Sequence, residues 1–141
     1  MQDYQIFLTT WSTDAPQLRH VRREVFVFEQ SVPEELEWDE DDAVSVHALA
    51  TLNREPVGTG RLTPAGKIGR VAVLGSCRGH GLGRRIMKLL MDEARHRGLT
   101  GVELNAQVAV LPFYEKLGFR AEGEVFDEAG IPHRKMRRPL G

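Results

Sequence analysis

The sequence predicts a mixed α/β fold, with about four helices packed on a central mixed sheet of about six or seven strands. Three observations carry this prediction. Short runs of alternating apolar residues predict strands in the middle and at the end of the chain. Two stretches with helical spacing lie between predicted strands. The first of them separates two strands that are therefore expected to be parallel neighbours. The 141 residues, 41% of them hydrophobic, suit a single domain over 1–141 and contain no repeat or linker.

The first half of the chain is predicted to form a strand, a helical region and an antiparallel meander. A strand is expected over 4–8. Thr13 or Asp14 is expected to cap the next helix, with Pro16 in its first turn, and Pro33 to end that helix or begin a short second one. Three strands with turns between them are then expected at 44–52, 57–63 and 67–73.

The second half is predicted to alternate helices and strands. Helical spacing over 84–97 ends at Gly98, and a short strand follows at 101–106. A second helix is expected over 110–117, with Pro112 near its start and Gly118 at its end. Two late strands are expected at 119–126 and 132–138.

Composition excludes several classes of protein. Lys and Arg number 19 against 20 Asp and Glu, so the net charge of −1 gives no overall attraction to nucleic acid or anionic lipid. No apolar run reaches the ~18 residues of a membrane span, and the first ten residues lack the pattern of a secretory signal. The single cysteine, Cys77, allows no internal disulfide, and the five histidines show no metal-ligand spacing. We therefore expect a cytoplasmic protein without a metal.

The charges are nevertheless distributed unevenly. Residues 29–42 carry eight acidic side chains and no Lys or Arg, whereas residues 67–97 carry eight basic side chains and two acidic ones. Such runs are usually solvated faces that keep a protein soluble. The functional alternative is that the acidic segment attracts a cation and the basic segment an anion.

A glycine-rich segment, Arg78–Gly83, lies between the strand over 67–73 and the next helix. No Ser, Thr, Asp or Asn immediately precedes this helix, so its first backbone N–H groups lack an obvious cap. Bare N–H groups, the helix dipole and the nearby Arg84 and Arg85 favour a phosphate or pyrophosphate. A Walker loop is excluded because Gly-Lys-Ser/Thr is absent. A dinucleotide fingerprint fits poorly because Arg84 stands where its third glycine is needed.

Three segments together resemble the GNAT acetyltransferases (Gcn5-related N-acetyltransferases). They are Ile-Gly-Arg-Val-Ala-Val at 68–73, the Arg-x-x-Gly-x-Gly pattern at 78–83, and Phe-Tyr-Glu-Lys-Leu-Gly-Phe at 113–119. Segments 25–30, 105–107 and 130–133 are similar to the ElaA-like branch of that family. The resemblance covers most of the chain and implies the GNAT acyl-CoA N-acyltransferase fold.

The resemblance implies an acetyl-CoA site. The loop and helix start hold the CoA pyrophosphate in this family, and the preceding strand offers backbone groups to the pantetheine arm. Asn105 would lie beside the opening for that arm, and Tyr114 would donate a proton to the leaving thiolate. The residues expected at this site are Val71, Ala72, Val73, Arg78, Gly79, His80, Gly81, Leu82, Gly83, Arg84, Asn105 and Tyr114.

The expected reaction is direct attack of a primary amine on the thioester in a ternary complex. The backbone N–H of Val73 is our candidate donor to the oxyanion. Tyr114 suits an acid because tyrosine is protonated near neutrality, although packing alone would also explain it. The base stays open among a water chain and five side chains: Glu29, Glu37, Glu103, His47 and His133.

An acyl-enzyme on Cys77, with His80 nearby in sequence, is disfavoured because Cys77 precedes the pyrophosphate loop. The amine acceptor is a small molecule or a protein, and the acidic residues 34–42 suggest a cationic one. Glu29, Glu37 and His47 are the candidate acceptor-binding residues. Many GNAT proteins form dimers, so a homodimer is expected from the resemblance. Two other functions stay open: an acyl-CoA sensor without turnover, and nucleotide-phosphate binding outside this family.

Overall fold

The computed structural model describes residues 3–141 and has a seven-stranded sheet with helices on both faces. The strands are β1 (Tyr4–Thr10), β2 (Val46–Leu52), β3 (Glu55–Leu62), β4 (Lys67–Val73), β5 (Gly101–Gln107), β6 (Arg120–Glu128) and β7 (Ile131–Pro139). The α-helices are α1 (Trp11–Arg22), α2 (Glu34–Glu37), α3 (Leu82–His96) and α4 (Leu111–Glu115). A π-helical segment, Arg23–Glu29, continues α1, and short 3₁₀ turns lie at Glu40–Ala43, Gly75–Cys77 and Val108–Val110.

The strand order is β1-β2-β3-β4-β5-β7-β6. The first four strands form an antiparallel meander, β4 and β5 are parallel, and β5, β7 and β6 are antiparallel. The predicted mixed α/β class, strand number and parallel pair are therefore confirmed. None of the helices within residues 3–141 is long and apolar enough to cross a membrane.

The helices cover opposite faces of the sheet. Ile86 and Leu90 of α3 pack so closely on β3 that a Cβ at Gly60 would lie 2.7 and 2.8 Å from their side chains. On the other face, Val21 of α1 and Val25 of the π-helical segment pack with Ala72 of β4. We refer to these as the α3 face and the α1 face.

The sheet opens between its two parallel strands. Among the described residues, only Lys67↔Glu103 and Ile68↔Leu104 pair β4 with β5, at the start of β4. Beyond them β4 has a bulge, where the register with β3 shifts and Arg70 has φ +52°. Residues 70–73 therefore diverge from β5 and leave a gap between the two strands.

Helix boundaries differ from prediction in three places. Thr10 caps α1 through its side chain, so the predicted cap at Thr13 or Asp14 is wrong, because β1 runs directly into the helix. Helical geometry breaks instead at Asp14, whose side chain accepts a 2.6 Å hydrogen bond from Thr9. The helix predicted over 110–117 has only five α-helical residues. It is shorter because Val108–Val110 form a 3₁₀ turn before it, and because after Glu115 the N–H groups of Leu117 and Gly118 bond to carbonyls only three residues back.

Candidate functional site

The loop before α3 has its backbone donors exposed. Gly79 and Gly81 have φ values of +84° and +76°, a left-handed conformation that glycine adopts without strain. Gly81 is the residue before α3, and no side chain caps the helix there. The first turn of α3 also contains no acidic residue. The expectation of an uncapped helix start is confirmed, and its N–H groups and dipole can receive an anion.

The start of α3 also positions α4. A Cβ at Gly83 would lie 3.3 Å from Cζ of Phe113, so glycine allows this ring to pack directly over the first turn of α3. The next residue, Tyr114, stacks edge-on against Phe113 and Phe119, with ring centroids 5.0 and 6.1 Å away. The FYEKLGF segment and the glycine loop, distant in sequence, are thus direct neighbours.

The side chain of Tyr114 is half-buried and keeps some surface accessible to solvent. Desolvation by the surrounding atoms nevertheless raises the pKa of its hydroxyl to about 12. Within residues 3–141 this hydroxyl forms no hydrogen bond with another group of the chain, and desolvation alone shifts its pKa. A phenol in this setting keeps its proton at neutral pH and can act as an acid. Its ring contacts show that Tyr114 also packs, while its role as an acid stays a prediction.

The backbone of β4 offers hydrogen-bonding groups to the gap. The N–H of Leu74 donates to the Val57 carbonyl at 2.9 Å. Because bonded and non-bonded pairs alternate along an antiparallel ladder, the backbone groups of the preceding residue, Val73, point away from β3. The N–H of Val73 is therefore directed to the side of the gap, where an oxyanion donor would be needed.

Arg78, the first residue of the loop pattern, has partners that the sequence did not predict. Its Nη1 and Nη2 each donate to a carboxylate oxygen of Glu29 at 2.7 Å, and its Nε donates to the Val73 carbonyl at 2.9 Å. The hydrogen bond from Arg78 lowers the pKa of Glu29, and the same bond raises the pKa of Arg78. A separation of 49 residues hides this pair from any local sequence pattern.

With this geometry established, comparisons with known proteins identify the family. A family model described as "Acetyltransferase (GNAT) domain" matches residues 10–140. The chain belongs to the GNAT acetyltransferase family. It is 45% identical over 123 residues to YjcF of Bacillus subtilis, an uncharacterized N-acetyltransferase, covering 84% of this chain and 88% of YjcF. The resemblance stated from the sequence is confirmed.

Two solved structures show how closely the GNAT fold is shared. An acyl-CoA N-acyltransferase from Pseudomonas aeruginosa superposes with a TM-score of 0.85 at 32% identity, over 98% of this chain and 99% of that one. Escherichia coli ElaA superposes with a TM-score of 0.83 at 31% identity, again over 98% and 99%. The predicted fold is confirmed, and this GNAT protein is an acyltransferase.

The acidic segment of this GNAT protein is a structural network. Glu37 and Asp42 are 3% and 2% exposed, and both bind Arg22, which is fully buried, at 2.8 and 2.7 Å. Arg61 and Arg70 add further ion pairs from β3 and β4. Burial raises the pKa of Glu37 more than its arginines lower it. Burial also acts to raise the pKa of Asp42, but the hydrogen bond and charge of Arg22 lower it overall.

His47 belongs to the same network. It is 1% exposed, its Nε2 lies 2.9 Å from the Asp42 carbonyl oxygen, and its ring packs against Trp11. Since a carbonyl only accepts, Nε2 carries the proton and donates it. Burial lowers the pKa of His47. Glu37 and His47, two candidates for acceptor binding or base chemistry, therefore lie enclosed among arginines and tryptophans.

The two remaining base candidates lie on neighbouring strands, Glu103 on β5 and His133 on β7. Glu103 pairs with Lys135 at 3.2 Å, and the hydrogen bond from Lys135 lowers its pKa. His133 holds its Nδ1 2.7 Å from the Ile131 carbonyl, which leaves Nε2 facing Glu128 at 3.5 Å. Asn105 donates to the same Glu128 at 3.4 Å. Asn105, Glu128 and His133 thus form one polar group near the end of β5.

Cys77 and His80 do not form a nucleophile and base. Cys77 is buried with the apolar core under α3, whereas His80 stacks on Tyr4 with ring centroids 5.8 Å apart. This arrangement agrees with the sequence argument against an acyl-enzyme. Among residues 3–141 there is no cluster of three or more His, Cys, Asp or Glu that could hold a metal.

Proposed function

We propose that this GNAT protein transfers an acetyl group from acetyl-CoA to a primary amine by direct attack in a ternary complex. The observation that carries the proposal is the gap between β4 and β5, which has the uncapped start of α3 at one end and Tyr114 beside it. The donors fit the substrate's charge: exposed N–H groups, Arg84 and Arg85 suit a diphosphate. The free edge of β4 suits an extended amide-containing arm.

In the proposed reaction, the amine nitrogen forms a bond to the thioester carbonyl carbon and the carbon–sulfur bond breaks. The Val73 N–H meets the oxyanion, and one such donor is worth ~3 kcal/mol. Tyr114 gives its proton to the leaving thiolate. A water chain or His133 suits the proton lost by the amine, since the oxygens of Glu29, Glu37 and Glu103 are already ion-paired and His47 is buried with its Nε2 donating to the Asp42 carbonyl. The gap does not distinguish small-molecule amines from protein amines.

The acceptor reaches this gap from the α1 face. The loop that receives the pyrophosphate leads into α3, which covers the opposite face. A cavity of about 280 Å³ lies on the α1 side of the turn after β4, with His20, Glu24, Glu29 and Ser76 among its lining. We infer that a cationic amine approaches past these carboxylates, while the exposed Glu34 and Glu35 add longer-range attraction.

The experiment is acetyl-CoA-dependent thiol release across polyamines, amino sugars, amino acids and lysine peptides, beside a direct acetyl-CoA titration. Release with one amine class supports the proposal and names the acceptor class. Tight binding without release across the panel favours an acyl-CoA sensor. If ATP or NAD displaces CoA, or CoA does not bind, the assignment of residues 78–84 is overturned.

A further inference from the structure

The end of the π-helical segment connects β4 and β5, the two strands that border the gap. Its last residue, Glu29, binds Arg78, which in turn binds the Val73 carbonyl at the end of β4. The next residue, Gln30, accepts a 2.8 Å hydrogen bond from Nε2 of Gln107, the last residue of β5. Two successive residues, Glu29 and Gln30, therefore cross from one diverging strand to the other. We call them the crossing segment.

The crossing segment lies on the α1 face. Along β5, Leu104 and Ala106 belong to the apolar core under α3. Because side chains alternate along a strand, Gln107 is directed to the α1 face. The π-helical segment also packs on this face through Val25 and Ala72. The crossing segment thus spans the gap on the side from which the acceptor approaches, opposite the helix that follows the glycine loop.

Arg78 uses three of its five guanidinium N–H groups to hold this segment. Its Nε, Nη1 and Nη2 all donate to Val73 or Glu29 at 2.7–2.9 Å. A phosphate could bind the paired face of its guanidinium only after displacing these partners, which leaves one N–H on each Nη as the remaining donors. By contrast, the side chains of Arg84 and Arg85 are exposed and form no hydrogen bond or ion pair within residues 3–141. The loop can therefore receive a diphosphate without the Arg78 side chain.

We propose that Arg78 is a positioning residue for the acceptor side of the transfer site, not a phosphate ligand, and that the crossing segment it holds borders the acceptor's path. Bidentate arginine–carboxylate pairs fix direction as well as distance. Arg78 holds Glu29 near Val73 of β4, and Gln107 of β5 holds Gln30. Together these contacts set the distance between β4 and β5 on the acceptor side. This inference rests on the proposed transfer reaction.

The test compares Arg78→Met, Glu29→Gln and the double variant. If Arg78 positions Glu29, each single change raises the acceptor KM about tenfold and changes the CoA Kd less than about twofold. The double variant is then no worse than either single variant, because both changes remove the same contact. If Arg78 is a phosphate ligand, Arg78→Met raises the CoA Kd about tenfold while Glu29→Gln does not, and the inference is overturned.

A truncated donor sharpens the test. Acetyl-pantetheine lacks the pyrophosphate, so a positioning effect of Arg78→Met on the acceptor KM persists with it. A phosphate-ligand effect disappears with this donor and again overturns the inference. Gln107→Ala acts on β5, the other strand, and is expected to raise the acceptor KM without changing the CoA Kd. If Arg78→Met fails to fold, Gln107→Ala provides the test in its place. An unchanged acceptor KM in Gln107→Ala contradicts the inference.

The matched control is Glu93→Gln, which removes a similar 2.7 Å pair with Arg97 near the far end of α3. It is expected to leave both constants unchanged. If the wild type binds CoA but no amine is acetylated, the proposed function fails, and the CoA titrations of the variants still decide whether Arg78 binds phosphate. If the wild type does not bind CoA, both proposals fall together.

Discussion

The acidic segment 34–42 and the glycine loop 78–83 are both rich in groups that bind ions, but the acidic segment has its buried charges paired within the chain, whereas the loop pairs only the Arg78 side chain and leaves the helix after it uncapped. Glu37 and Asp42 are buried against Arg22, and Asp39 binds Arg61 and Arg70. The loop instead leads into a helix whose first turn has no side-chain cap. The acidic segment therefore pairs its buried charges inside the chain, whereas the loop leads to helix donors that a ligand can bind.

The difference has a physical cause. A buried carboxylate must be paired, because leaving it alone in the interior costs several kcal/mol. The loop residues 79–81 just before α3 are exposed, so water can reach the uncapped start of the helix until an anion replaces it. A dense run of charge in a sequence can therefore mark a structural network. A ligand site is better indicated by polar groups that the chain leaves without partners.

The largest expected effect is on the free energy of unfolding, and it tests the buried ion-pair network of the acidic segment. Arg22→Met keeps an unbranched apolar side chain but removes the guanidinium, which lies over Trp11 and Trp38 and which Glu37 and Asp42 share. Removing one partner of a buried pair costs about 3–5 kcal/mol, so the free energy of unfolding should fall by about that much. Urea unfolding measures it. Arg97→Gln, which breaks an exposed pair on α3, should cost less than about 0.5 kcal/mol. Similar losses in both variants would contradict a structural role for the network.

The next effect tests the transfer site. Tyr114→Phe keeps the packing against Phe113 and Phe119 but removes the acid, so turnover should fall about 100-fold with an unchanged acetyl-CoA Kd. Since the pKa of Tyr114 is raised to about 12, its proton is retained through pH 10, and no alkaline loss of kcat below that pH should come from this group. Steady-state kinetics from pH 7 to 10 measure both.

The control for this variant is the same change at the chain's other tyrosine, Tyr4→Phe, which keeps the ring contact with His80 and should leave turnover within about twofold. An unchanged turnover in Tyr114→Phe would remove the acid role and leave packing alone.

Local patterns were sufficient to predict much of this fold. The bounds of β4 are those expected, because alternating residues lie between two clear turns. The uncapped start of α3 could also be foreseen, since glycines replace any capping side chain there. Both features depend on residues close together in the sequence.

Features that depend on distant partners could not be predicted. Glu29 and Arg78 are 49 residues apart, and Gln30 and Gln107 are 77 apart, so neither pair leaves a local signal. The role of the acidic segment was also hidden, because its arginine partners come from α1, β3 and β4. The bulge at Arg70 lies in an ordinary strand pattern, and ion pairs with Glu37 and Asp39 accompany its positive φ.

A smaller effect concerns pH and the network. Burial lowers the pKa of His47 in the folded protein, so below its ordinary value of about 6.5 the unfolded chain binds a proton that the folded one excludes. The wild type should therefore lose unfolding free energy between pH 7.5 and 5.5. His47→Gln should lose less over the same range, while Glu37 and Asp42 titrate in both proteins. Equal pH slopes in urea unfolding would mean that His47 is hydrated enough to protonate when folded.

The smallest effect separates the exposed acids from the buried ones. Glu34 and Glu35 are exposed, and Glu34 has only an exposed partner, Arg23 at 3.0 Å. Glu34→Gln with Glu35→Gln should raise the KM of a polyamine acceptor about twofold at low salt and leave it unchanged at ~0.5 M salt, because screening removes a surface attraction. The free energy of unfolding should not change.

Glu40→Gln with Asp41→Asn removes two charges from the same segment and measures how local the attraction is. An equal rise in KM would assign it to the net charge of the segment, whereas no rise in either variant would leave the acidic residues with a structural role alone.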